Sequence, residues 1–179
     1  MMKTTNPNIR YRAMSRLLII LLPIVFGLNS CGIYSFTGAS IPPEARNFSV
    51  QQFPNNALLV EPLLSSIFTS ALRDKFMNQT SLQMVAVNGD LAFDGEITEY
   101  AVSPVAIQSD QTAALNRLTI TVNVRFFNKF DESKNFETRF SQYMDYPSEQ
   151  DLNVVKDRLI TEITEMLVDN IFNRAVVNW

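Results

Sequence analysis

The sequence has no histidine and a single cysteine, Cys31, among its 179 residues. Without histidine there is no imidazole base for a Ser-His-Asp or Cys-His pair, and no imidazole metal ligand. One cysteine closes no internal disulfide and builds no thiolate cluster. Glycine is also scarce, with five in the chain, and neither a phosphate-cradling Gly-rich loop nor GxSxG nor HExxH occurs. The expectation is a protein that is not an enzyme and needs no cofactor or metal. Charged residues, at 18%, are too few for a disordered acidic or basic tail, while 46% apolar residues suffice for the core of one ordinary domain. A long apolar run is missing too: Leu17 to Phe26 holds ten residues without a polar group, half of the ~20 that a membrane-spanning helix requires.

What surrounds that run gives it a meaning. Lys3, Arg10, Arg12 and Arg16 precede it, and no acidic residue occurs among the first thirty positions. A basic segment leading into a short apolar core is the pattern of a secretion signal. Leu28-Asn29-Ser30-Cys31-Gly32 follows and resembles the bacterial lipobox. The resemblance implies that residues 1–30 are a cleaved signal peptide and that Cys31 becomes the mature N-terminus. There it would carry a diacylglycerol thioether and an N-acyl chain such as palmitate. Each buried acyl CH₂ contributes ~0.8 kcal/mol, so several chains together hold a protein durably on a bilayer.

Cleavage changes the charge. Removing four bases leaves 11 of 15 against 18 acidic residues, so the formal −3 becomes −7. An acidic body argues against a nucleic-acid partner and against electrostatic adhesion to anionic lipid. Gly32 is not the Asp that retains enterobacterial lipoproteins at the inner membrane, and no acidic cluster follows it. Both features point to the periplasmic side of an outer membrane.

Residues 31–46 read as a tether, with two Gly and the Pro42-Pro43 pair, and residues 47–179 as one domain. Phe48 to Phe53 alternates as a first strand, stopped by Pro54-Asn55-Asn56. Pro62 opens a helix carrying Leu64, Ile67, Phe68, Ala71, Leu72 and Phe76 on one face, ending near Asn78. Leu82 to Val87 reads as a strand, with Asn88-Gly89-Asp90 as its turn. Leu91 to Val102 is a further strand with a bulge or bend at Gly95, and Ser103-Pro104 interrupts it. Gln108 to Ala114 is polar enough for a loop.

The next segment is the clearest in the chain. Leu118, Ile120, Val122, Val124 and Phe126 point one way, while Arg117, Thr119, Thr121, Asn123, Arg125 and Phe127 point the other. Lys129 to Asn135 turns, and Phe136 to Tyr146 returns. After Pro147, Ser148 is placed to cap a last helix, with Asp151 completing a capping box. Leu152, Val155, Leu159, Ile163, Met166, Leu167 and Ile171 form its stripe as far as about Asn173. The expected fold is α+β: a two-layer sandwich with two amphipathic helices on one face of a small mixed, mostly antiparallel sheet.

Two charge clusters stand out. Asp90, Asp94, Glu96 and Glu99 match no Ca²⁺-loop spacing, and strand alternation makes them a solvated face rather than a paired-carboxylate site. Arg117, Arg125 and Lys129 share the outward side of one strand, with Arg139 on its hairpin partner. They are the candidate contacts for the phosphates of an anionic glycolipid, set against an ordinary face of cross-strand charge pairs.

From Cys31 onward the chain resembles the LptE family of lipopolysaccharide-assembly lipoproteins in its Bacteroidota form. The resemblance rests on Cys31-Gly32-Ile33-Tyr34-Ser35-Phe36-Thr37-Gly38, on Ile41-Pro42-Pro43, and on Phe48 to Asn55, together with the order of elements. It implies a lipid-anchored outer-membrane protein that plugs and helps assemble the β-barrel LptD. With that partner it would place lipopolysaccharide in the outer leaflet, binding the lipid and catalysing nothing. A secretin pilotin or another envelope-assembly accessory lipoprotein is the alternative of the same general kind. An envelope hydrolase working through carboxylates alone is the more distant one.

Overall fold

A computed structural model describes residues 41–105 and 114–177. The described residues belong to one compact unit. The expected signal peptide, Cys31 and most of the Gln108–Ala114 loop lie outside the described residues. Among the described residues no helix is long and apolar enough to cross a membrane.

Five strands form one open sheet: β1 (Asn47–Val50), β2 (Gln83–Met84), β3 (Leu91–Val105), β4 (Leu115–Asn128) and β5 (Phe136–Pro147). Their order is β2-β1-β3-β4-β5. β1 runs parallel to both β2 and β3, while β3, β4 and β5 are an antiparallel meander. Two helices, α1 (Leu64–Gln79) and α2 (Leu152–Val176), cover one face, as the sequence predicts.

Alternation along β4 drives this layering. Leu118, Ile120, Val122, Val124 and Phe126 are all buried, and a strand whose one face is that apolar must be covered. Register then assembles a chain of rings. Phe126 lies opposite Phe93 of β3 and Phe136 of β5, with centroids 4.7 and 5.3 Å away. Phe76 of α1 meets Phe93 at 4.7 Å and Phe172 of α2 at 5.0 Å. Tilted aromatic pairs at these separations add to the burial of their area, and this series ties both helices to the centre of the sheet. The predicted α2 stripe is buried at Leu159, Ile163, Leu167 and Ile171, and is widened by Ile160, Val168 and Phe172.

Several boundaries differ from the sequence reading. β1 stops at Val50 because the chain then turns Phe53 inward; its ring packs against Phe68 at 5.0 Å. Gly95 is the reason it can. The residue has φ 154°, and a Cβ there would lie 2.0 Å from the Asn123 oxygen and 2.7 Å from the Phe53 ring. Gly95 is therefore a close-approach site and not the bulge, which falls between Ile97 and Glu99. Ser103-Pro104 does not interrupt β3, which continues to Val105 with Pro104 opposite Asn116. Beyond Ile97 the described residues give β3 a neighbour only on the β4 side, and proline is tolerated at such an edge. Helix α2 runs on to Val176. Its cap is Asp151, whose carboxylate accepts from the Asn153 N–H at 2.9 Å, and not Ser148. The Pro147–Gln150 turn, closed by a 3.0 Å bond, delays the helix past the serine.

The largest departure concerns Asn88-Gly89. β2 and β3 are not a hairpin: Phe48 of β1 sits between them, paired with Met84 on one side and Leu91 on the other. Residues 85–90 are a strap crossing β1. The Val85 N–H donates to the Phe48 oxygen at 2.8 Å, Gly89 N–H to Ser49 Oγ at 3.0 Å, and Asp90 N–H to Asn47 Oδ1 at 2.8 Å. Asn88 takes φ 58°, and a Cβ on Gly89 would stand 2.4 Å from the Ser49 nitrogen. The glycine lets backbone ride on backbone.

Candidate functional site

The sheet face turned away from the helices carries the predicted cations. Register places Arg117 of β4 between Ser103 and Asp145, and Arg125 between Asp94 and Glu137. Arg139 of β5 lies opposite Asn123. Lys129 lies one residue beyond β4, at the turn end of the same face. The four are therefore spread along the strand, and no two are directly opposite.

Most of them are already engaged. Arg117 grips Asp145 with two bonds, Nε to Oδ1 at 2.7 Å and a terminal nitrogen to Oδ2 at 2.9 Å, and its guanidinium stacks 3.6 Å over the Tyr143 ring. The paired hydrogen bonds hold the Arg117 proton more tightly than usual and keep the Asp145 carboxyl below its ordinary range, against partial desolvation. Arg125 pairs with Asp94. Lys129 reaches Asp90 at 3.3 Å while its side chain stays 68% exposed. Among the described residues Arg139 is exposed and makes no ion pair. Asp94, Glu96, Glu99, Glu137 and Asp145 on this face outnumber Arg117, Arg125, Lys129 and Arg139, so it carries no positive field as a whole.

The acidic cluster divides. Asp94, Glu96 and Glu99 are cross-strand partners on the outward face: Glu96 accepts from Asn56 Nδ2 at 2.6 Å and Glu99 from Thr121 Oγ1 at 2.8 Å. Asp90, expected with them on a solvated face, is buried instead. The Arg46 N–H donates to its Oδ2 at 3.0 Å. That bond, aided by Lys129, holds its carboxyl below the usual range although burial opposes the charge. Asp90 is the clasp between the 85–90 strap, the segment before β1 and the end of β4. Beside it an open cavity of about 630 Å³ is lined by Ser49, Gln51, Asp94, Phe127 and Lys129. Phe127 is 47% exposed there, so the cavity joins one accessible cation to one accessible ring.

The second exposed feature escaped sequence reading. Between β1 and α1, Leu58, Leu59, Val60 and Leu63 are exposed at 101%, 56%, 66% and 62%. The signal was the unassigned run Ala57-Leu58-Leu59-Val60 between two turn-forming segments. It matches neither period, so it reads as neither helix nor strand. Asn55 clamps this loop: its Oδ1 accepts from the Ala57 N–H and its Nδ2 donates to the Glu61 carbonyl, both at 3.1 Å. Lys156 of α2 pairs with Glu61 at 2.9 Å, which raises the affinity of the ammonium for its proton.

A family model described as LptE, lipopolysaccharide-assembly, matches residues 45–175. Curated protein sequences gave no match. Among solved structures, a hypothetical protein from Chlamydia trachomatis is similar with a TM-score of 0.50 at 10% identity, over 75% of this chain and 100% of that one. A minor lipoprotein from Acinetobacter baumannii gives 0.48 at 12% identity, over 73% and 91%. A rare lipoprotein B from Shewanella oneidensis gives 0.45 at 13% identity, over 72% and 92%. The chlamydial likeness is one of fold.

Proposed function

The chain belongs to the LptE family and has a role in lipopolysaccharide assembly, and from that premise we propose that it is the lipoprotein partner of an LptD-like β-barrel. In this reading Cys31 carries the acyl anchor and fixes the protein to the outer membrane on its periplasmic side. The domain plugs the barrel, supports its assembly and takes part in moving lipopolysaccharide to the outer leaflet. The observation that carries the proposal is the family match, which spans nearly all of the described domain. The lipobox-like segment before Gly32 supports the anchor.

Arg117, Arg125, Lys129 and Arg139 are the proposed contacts for lipopolysaccharide phosphates. Their states set an order among them. Among the described residues Arg139 pairs with no carboxylate and Lys129 stays largely exposed, whereas the charges of Arg117 and Arg125 are already shared with Asp145 and Asp94. Phe127, beside Lys129, offers apolar contact.

Isolation of the tagged full-length protein from outer membranes in mild detergent tests the reading. A large β-barrel protein of the lipopolysaccharide export machinery is expected to co-purify. Recovery of a secretin, or of no barrel at all, would overturn the proposal.

A further inference from the structure

The two edges of the sheet are guarded unequally. At one edge β2 is two residues long, and so short a strand offers little to pair with. At the other edge β5 runs for twelve residues, Phe136–Pro147, and its register with β4 is continuous. Natural sheets blunt a long edge with lysine, an interior proline, a bulge or a covering segment. β5 has no lysine, its one proline is its last residue, and among the described residues no strand pairs with its outer side. Alternate residues of β5 therefore turn their N–H and C=O groups outward, the pattern that accepts an added strand.

The side chains select the strand that fits. Residues directly opposite in an antiparallel pair share a face. A second β5 laid about a two-fold axis at Gln142 sets Arg139 against Asp145 of the second copy, and Asp145 against its Arg139. Arg139 is the exposed arginine that makes no ion pair among the described residues. Asp145, held by Arg117 through both oxygens, keeps 29% of its side chain exposed and has lone pairs for a second guanidinium. On the helix side the same register sets Phe140 against Met144, both half-buried at the margin of the core. No like charges meet. Sliding by two residues one way puts Glu137 against Asp145, and sliding the other way leaves Arg139 opposite Pro147. The axis is normal to the sheet, so both helical layers stay on one face. Pairing consumes the two long edges and leaves only the two-residue β2 edges, so the assembly closes at two copies.

We infer that two copies of this domain join through β5 in an antiparallel pair centred on Gln142, with Arg139 of each bound to Asp145 of the other. The inference goes beyond the barrel partnership and does not rest on it; it concerns the protein on its own.

The test uses full-length lipidated protein purified without a barrel, in enough detergent to keep unrelated chains in separate micelles. Sedimentation should find two copies per particle in the micromolar range. Cys31 is the one cysteine of the chain, so in the acylated protein an introduced thiol is the only free one. Oxidation of a Gln142→Cys variant should link two chains, because position 142 faces itself across the axis within the ~5.5 Å that a disulfide spans between Cα atoms. Thr138→Cys should stay unlinked, since its counterpart lies roughly 27 Å away along the strands. If Gln142→Cys folds poorly, Ser141→Cys mixed with Tyr143→Cys replaces it, as those positions oppose each other in the same register. Arg139→Asp sets aspartate against aspartate at both ends and should weaken association on the order of tenfold or more. One copy per particle throughout that range, particles of more than two copies, equal linking at positions 142 and 138, or unchanged association of Arg139→Asp overturns the inference.

Discussion

At the residue scale, the difference between one arginine and the next is whether a carboxylate already holds it. Arg117 is bidentate to Asp145 and stacked on Tyr143; Arg139, two strand positions from that tyrosine's neighbour Ser141, has its guanidinium exposed and without an ion pair among the described residues. A phosphate approaching the sheet gains a charge-assisted fork from Arg139 without breaking an existing one. Arg139→Glu should therefore lower lipopolysaccharide affinity on the order of tenfold at low salt, an effect that shrinks as ionic strength rises, with the melting temperature unchanged. Arg117→Glu should act the other way, leaving Asp145 facing a like charge and lowering stability before it lowers affinity. Titration of the purified full-length variants with lipopolysaccharide, alongside thermal melts, separates the two. Equal affinity for Arg139→Glu and wild type removes Arg139 from the site. The cations were legible in sequence as a set, because even spacing along β4 puts Arg117 and Arg125 on one face. Their pairing was not. It depends on a register that joins Arg117 to a residue 28 positions away and Arg125 to one 31 positions away.

At the scale of elements, local rules succeeded where one periodic face met one core. β4 and α2 are such cases, since an unbroken apolar face fixes both the element and its buried side. The rules failed where distant backbone decides. Asn88-Gly89 satisfies every local criterion for a hairpin turn, yet its glycine serves a crossover whose other half is Ser49, forty residues earlier in the chain. Gly95 likewise reads as a bulge, and only the position of Phe53 shows it to be a space left for a ring. The start of α2 offers a test of the same kind. Asp151 caps it through the Asn153 N–H, whereas the Ser148 N–H closes a different contact, to the Ala114 oxygen at 3.0 Å. Asp151→Ala should cost about 1 kcal/mol, within the range measured for helix caps, and Ser148→Ala a few tenths at most. Urea unfolding monitored by circular dichroism resolves the pair, and the reverse ranking would return the cap to the serine.

At the scale of the whole molecule, the balance of charge sets how stability follows pH. Asp90 and Asp145 both have carboxyls held below their ordinary range, the first chiefly by the Arg46 N–H and the second by Arg117. A group whose pKa is depressed by folding binds fewer protons in the native state than in the unfolded one. Its stabilisation is complete above the unfolded value of ~3.9 and is lost as pH falls through the folded value. Arg117 and Lys156 are shifted upward by Asp145 and Glu61. Their share is complete below the ordinary lysine and arginine values and is lost only in strong alkali. With no histidine in the chain, no side chain except the cysteine expected to be acylated has an ordinary pKa between about 5 and 9. The melting temperature should thus be level from about pH 5 to pH 9 and fall steeply below about pH 4. Asp90→Asn isolates one contribution. It removes the buried charge that clasps the 85–90 strap to Arg46 and Lys129, so it should melt several degrees below wild type at pH 7. The gap should narrow as pH falls below about 3.9, where the unfolded chain binds the proton that folded Asp90 resists. Melts of both proteins across this range measure the difference directly, and a gap that stays constant down to pH 3 would show that Asp90 acts by shape and not by charge.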